Sequence, residues 1–186
     1  AKGVAAYLDT IDAAAAGIDD GQFKMRFQAY VVRSEQPAKV FAGLYSAFAA
    51  VNARRRVVAV NIVGPEDGIV SMRDYSLHMR MFAFLKQKHP AVRLSLHAGE
   101  LTLGMVPPEG LQSHIREAVE VAGAERIGHG VDIVYEVVRD GFTNWIEGGG
   151  RKTHVAAVRE KVAQAVLTRV STKASSRATG SFALCM

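Results

Sequence analysis

Val92-Arg93-Leu94-Ser95-Leu96-His97-Ala98-Gly99-Glu100 and, further along, Arg126-Ile127-Gly128-His129-Gly130 are short apolar runs that each carry a histidine at the end. Between them, Pro107-Pro108-Glu109 opens a helix whose apolar residues Leu111, Ile115, Ala118, Val119 and Ala122 recur at helical spacing until Gly123 stops it. The stretch from Leu94 to Glu136 therefore reads strand, loop, helix, strand. Two imidazoles and a carboxylate stand where parallel strands end. Strand ends hold side chains rigidly while the loops beyond them leave room for a substrate, which is the layout a metal-assisted hydrolase needs.

The same alternation extends upstream. Val57 to Val63 is a buried strand, and Gly64-Pro65-Glu66-Asp67-Gly68 is its loop. Ser71 with Asp74 three residues later reads as a variant capping box. The helix after it carries Tyr75, His78, Met81, Phe82 and Leu85 and ends before Pro90. Phe23 to Val32 starts by alternating and becomes continuously apolar, as a strand entering a sheet covered on both faces does. Ser34 or a neighbour caps the next helix, with Pro37 in its first turn and Val40, Leu44, Ala47, Phe48 and Val51 on one face. Arg54-Arg55-Arg56 reads as a solvated helix end in preference to a phosphate site. Residues 2–17 form an alanine-rich helix with Val4, Leu8, Ile11 and Ala15 on one face, and Asp19-Asp20-Gly21 turns the chain. Strands at about 23–32, 57–63, 92–97 and 126–130, joined by helices, predict an α/β fold of parallel units with right-handed crossovers.

Length limits how much of such a fold fits. The chain has 186 residues, whereas a closed eight-fold barrel takes at least about 200 and typically about 250. An incomplete TIM-type (β/α) barrel over 1–136 is expected. Residues 137–186 form a basic tail: they hold 8 basic and 3 acidic residues, the whole of the +5 net charge, while 1–136 hold 15 of each. In the tail, 137–146 reads as the start of a helix with Trp145, Gly148-Gly149-Gly150 as a turn, 155–170 as a helix, and 171–181 as a Ser/Thr/Ala-rich loop. A neutral motif-bearing part gives no electrostatic footprint for nucleic acid, and no apolar run is long enough for a membrane span. No secretory pattern opens the chain, so a cytoplasmic location is expected; because the first residue is not Met, a secreted parent remains open. Cys185, the single cysteine, excludes an internal disulfide and a cysteine zinc cage.

His97-Ala98-Gly99-Glu100 and Arg126-Ile127-Gly128-His129-Gly130, in this order and separated by one helix, resemble the adenosine deaminase family of zinc amidohydrolases. Val60-Asn61-Ile62-Val63-Gly64-Pro65-Glu66-Asp67 is similar to that family's strand-end glycine loop, so the resemblance spans roughly Gly21 to Glu136. It implies hydrolytic deamination of adenosine or a related amino-purine to inosine and ammonia, with one zinc ion activating water. Position by position, His97 resembles a metal ligand. Glu100 resembles the acid that protonates the purine ring, and His129 the histidine that orients the attacking water and assists its deprotonation. Gly64 resembles the glycine whose N–H meets the ring. The implied partner is a purine nucleoside.

The departures are equally specific. None of His78, His89, His97, His114, His129 and His154 lie two residues apart, so the family's His-x-His pair has no counterpart. The one Asp-Asp pair, Asp19-Asp20, precedes every motif; Arg169-Val170-Ser171-Thr172 is similar to the family's last strand, but Lys173 and Ala174 follow it. The rival reading is a non-catalytic or truncated deaminase-like fragment with an incomplete metal site. A third alternative, nucleic-acid binding by the tail, lacks interleaved aromatics. His78 and His114 are assigned to structural, surface or core-edge positions on helices, and Asp132 and Glu136 to solvated helix-entry charges. An open half-barrel exposes strand edges, so self-association is expected.

Overall fold

A computed structural model describes residues 2–53, 56–133 and 135–136. Every expectation for 137–186, with His154, Trp145 and Cys185, and those for Arg54 and Arg55, fall outside the described residues. The elements run α1 (Lys2–Ala16), β1 (Phe27–Val32), α2 (Pro37–Ala53), β2 (Val57–Val63), α3 (Ile69–Lys88), β3 (Arg93–Ala98), a 3₁₀ turn (Pro108–Leu111), α4 (His114–Glu120) and β4 (Arg126–His129).

The four strands are parallel, in the order β1-β2-β3-β4. A sequential order keeps every crossover helix on one side of the sheet. That is the arc of a barrel and differs from a doubly wound sheet, in which the strand order reverses at a switch point. The chain forms a partial TIM-type barrel.

Strand periodicity explains which face is covered. Ala29 pairs with Val60 and Val60 with Leu94, while Leu96 pairs with Ile127. These residues and Val31, Ile62 and Ala98 pack with Val40, Leu44 and Phe48 of α2 and Met79, Phe82 and Leu85 of α3 in one core. Phe48 and Phe82, both fully buried, are each worth roughly 1.5–3 kcal/mol of apolar burial. The alternate residues, Tyr30, Asn61 and His97, share the opposite face, where Tyr30 is 66% exposed.

Several local expectations are corrected. β1 starts at Phe27, not Phe23, because Asp20 Oδ1 accepts the N–H groups of Gln22 and Phe23 and Asp19 Oδ1 accepts that of Met25. Those bonds hold the backbone in a turn and keep it out of the ladder. Ser71 caps nothing: α3 begins at Ile69 after Gly68, so Ser71 is inside the helix and buried, and Asp74 pairs with Arg73. Arg56 is no solvated helix end, since it lies beyond α2 and its Nη1 sits 2.6 Å from Asp19 Oδ2. The helix expected after Pro107 divides into the 3₁₀ turn and the short α4. Among the described residues, no helix is long and apolar enough to cross a membrane.

Candidate active site

β2, β3 and β4 all end on one rim, and the chemistry-bearing residues stand there. Asn61 interrupts the apolar run of β2 and is buried. Its Oδ1 accepts the N–H of Ile62 at 2.8 Å and of His97 at 3.1 Å, and lies 3.0 Å from His97 Nδ1. Backbone N–H groups can only donate, so this atom is the amide oxygen and His97 Nδ1 carries the proton. Nε2 of His97 is thereby left with its lone pair free, the tautomer a metal or proton acceptor requires. Burial, then the neighbouring His129 and Arg33, lower the His97 pKa and favour the neutral ring.

His129 ends β4 with φ of 72°, the left-handed region, which for a residue with a Cβ costs of order 1–3 kcal/mol. It is the one non-glycine in that region among the described residues. Its ring lies 4.9 Å from that of His97, and its Nε2 lies 3.4 Å from Glu100 Oε2. Glu100 itself is half exposed, facing the open rim. His97, Glu100 and His129 thus converge. Gly64 follows β2 at the same end of the sheet, with φ of 106°, and a Cβ there would lie 3.6 Å from the side chains of Arg33 and Val32.

Beneath these residues lies a buried polar layer. Arg33, 1% exposed, follows β1 and donates from Nη2 to the carbonyl of His97 at 2.6 Å. Its Nη1 is 3.8 Å from Glu66 Oε1. Glu66 accepts the N–H of Gly99 at 2.9 Å and of Glu100 at 2.8 Å, and its Oε1 meets His114 Nδ1 at 2.6 Å. Burial would raise the Glu66 pKa, but His114, Arg33 and the two N–H groups outweigh it and hold the carboxyl low. Tyr75 stacks on the His114 ring at 3.6 Å and donates to the His114 carbonyl.

The structural assignments of four residues shift with this layer. His78 and His114 are core residues, 1% and 4% exposed, not surface ones. Asp132 and Glu136 are buried and not solvated. Glu136 accepts the N–H groups of Ile115 and Arg116, closing the start of α4 in place of Ser113. Among the described residues, neither carboxylate oxygen of Asp132 is bonded to another residue. Burial first, then Glu136 and Glu66, push its pKa up to about 7.

Sequence reasoning missed Asn61, Arg33 and Glu66 as supporting residues. Asn61 left a signal, since one amide inside Val57 to Val63 breaks an otherwise apolar strand. Arg33 left a weaker one, an arginine directly after Val31-Val32.

A match to the adenosine deaminase family's sequence model covers residues 4–171. The chain belongs to the adenosine deaminase family. It is 34% identical, over 102 residues, to an adenosine deaminase of Mycolicibacterium gilvum (strain PYR-GCK); that alignment covers 55% of this chain and 23% of the relative. The chain thus spans about a quarter of the curated relative's length. No solved structure matches it.

The family is generally metal-dependent. His97, with Nε2 free and its tautomer held, has the form of a ligand. Among the described residues, however, no three His, Cys, Asp or Glu side chains are grouped to hold a metal ion. The described residues alone do not fit a catalytic zinc, which needs three protein ligands and an open position.

Proposed function

We propose that this chain carries the proton-transfer half of a deaminase site, acting on adenosine or a related amino-purine nucleoside. The observation behind this reading is the convergence of His97, Glu100 and His129, with His129 Nε2 3.4 Å from Glu100 Oε2. Glu100 donates a proton to the purine ring nitrogen as water adds to the carbon bearing the amine. His129 takes the proton released by that water. His129 returns that proton to the amine, and the carbon–nitrogen bond breaks with its electron pair leaving on ammonia. The proton of the added hydroxyl passes to the Glu100 carboxylate, so that inosine remains and both residues are restored. Gly64 offers its N–H to the purine ring, and His97 is the residue for a zinc ligand.

The test measures zinc content after equilibration with the metal, for the unaltered chain and for His97→Ala, with inosine and ammonia followed from adenosine. Near-stoichiometric zinc that disappears in the variant, with inosine and ammonia formed in equal amounts, supports the reading. A chain that binds no zinc and releases no ammonia overturns it. That outcome favours the second reading, a non-catalytic deaminase-like fragment, which rests on the missing group of three metal-binding side chains. The outer edges of β1 and β4 pair with no strand among the described residues, so self-association is part of the proposal; a monomer in sedimentation at high concentration removes it.

A further inference from the structure

We infer that Glu66, from the loop after β2, is the positioning residue that fixes Glu100 for proton transfer, acting through the backbone of the turn that carries it. The inference rests on the deaminase reading of Glu100. The turn His97-Ala98-Gly99-Glu100 is held from two sides. Arg33 donates to the His97 carbonyl at 2.6 Å. The two oxygens of Glu66 each take one N–H, from Gly99 and Glu100. A carboxylate bound by two successive N–H groups fixes the plane of the peptide between them, and so sets the direction in which the Glu100 side chain leaves the backbone. Glu100 itself is half exposed and reaches His129 at 3.4 Å, so its aim must come from its own backbone. Gly99 makes the grip possible: its φ is 75°, and a Cβ there would lie 2.7 Å from Ile115 and 2.4 Å from Asp132. Glu66 is itself held, by His114 at 2.6 Å and by the Arg33 guanidinium. Because Arg33 also bonds the His97 carbonyl, one buried pair ties the histidine end of the turn to its acid end.

Glu66→Gln is nearly the same shape but offers one acceptor and turns an N–H₂ toward the other backbone donor. Turnover of adenosine by this variant is expected to lose kcat at least about tenfold, with KM within about twofold, because binding is kept while the proton donor is misdirected. In the same variant the amide resonances of Gly99 and Glu100 move and exchange faster, while those of Leu94 and Leu96 in β3 keep their protection. Unchanged kcat, or unchanged Gly99 and Glu100 amides, overturns the inference. If the variant fails to fold, the unaltered protein decides. A scalar coupling through the hydrogen bond, from the nitrogens of both Gly99 and Glu100 into the Glu66 carboxyl carbon, supports the grip, and its absence overturns it. An unaltered protein with that coupling but no turnover overturns the deaminase reading and leaves the grip standing.

Discussion

Glu66 and Asp132 are two buried carboxylates that approach the same glycine from opposite loops, and their surroundings differ completely. Glu66, after β2, takes two N–H groups, a histidine nitrogen and the field of Arg33. Asp132, after β4, lies under Gly99 with no donor from another of the described residues. One carboxyl is held low and the other is pushed up to about 7. Burial alone therefore says little about a charge. What decides its state is how many donors the fold aims at it.

The largest effect is expected on the satisfied side. Glu66→Ala removes the partner of a guanidinium that is 1% exposed and frees two backbone N–H groups. Leaving a buried charge uncompensated costs about 3–5 kcal/mol. Urea unfolding at neutral pH measures it; a loss below about 1 kcal/mol would mean that water reaches Arg33 and that the two carboxylates are less different than they look.

Gly99, between the two, comes next. Gly99→Ala combines a φ of 75° with a Cβ 2.4 Å from Asp132 Oδ1 and 2.7 Å from Ile115, for a loss of about 2–4 kcal/mol. Adding Asp132→Ala relieves the first contact and leaves the second, so the double variant recovers part of the loss in a thermodynamic cycle. Full additivity would show that the aspartate does not press on the glycine.

Asp132→Asn should stabilise. In the folded chain the Asp132 carboxyl titrates near 7 against an ordinary 3.8. Below 3.8 both states hold the proton and the charge costs nothing. As pH rises from there toward 7, the unfolded chain releases its proton while the folded chain keeps it, so stability falls; above 7 the deficit is constant. The asparagine variant gains about 1–3 kcal/mol at pH 7 or above, less than the full titration energy because its amide also lacks partners, and close to nothing near pH 4. A gain that does not depend on pH would detach the effect from the charge.

The contrast also marks how much of the fold and site is legible in the sequence. The alternation of strands and helices, the four strand cores and the meeting of His97, Glu100 and His129 were legible because apolar periodicity and strand-end motifs are local properties. The partial barrel followed from length. Asp132 and Glu136 were not legible: a charge beside a glycine turn has the same local signature whether it faces water or is closed over by α4. The start of β1 failed for a related reason, as Phe23 to Arg26 has strand-like residues but the N–H groups of Phe23 and Met25 go to Asp20 and Asp19. Ser71 and Asp74 met the spacing of a cap while Gly68 had already started the helix one turn earlier. In each case a side chain distant in sequence, or a competing local bond, decided the outcome.

Asp19 supplies the smallest test and extends the comparison to a more open setting. It resembles Glu66 in partners and differs in exposure. Against the desolvation that would raise it, the Met25 N–H and the Arg26 and Arg56 guanidiniums bring its carboxyl down to about 2. A carboxyl held low adds its full stability only where it is ionised in the unfolded chain as well, above its ordinary 3.8, and that contribution fades as pH falls from there toward 2. Solvent screens such a pair, so Asp19→Asn should move the urea midpoint least of these four variants. The difference between Asp19→Asn and the unaltered chain should be constant from pH 7 to about 5 and close to zero by pH 2. Added salt should shrink it at pH 7 while leaving the Glu66→Ala loss nearly unchanged, because ions reach the turn before β1 and do not reach Arg33. Equal salt sensitivity at both sites would erase the distinction between a carboxylate satisfied at the surface and one satisfied inside.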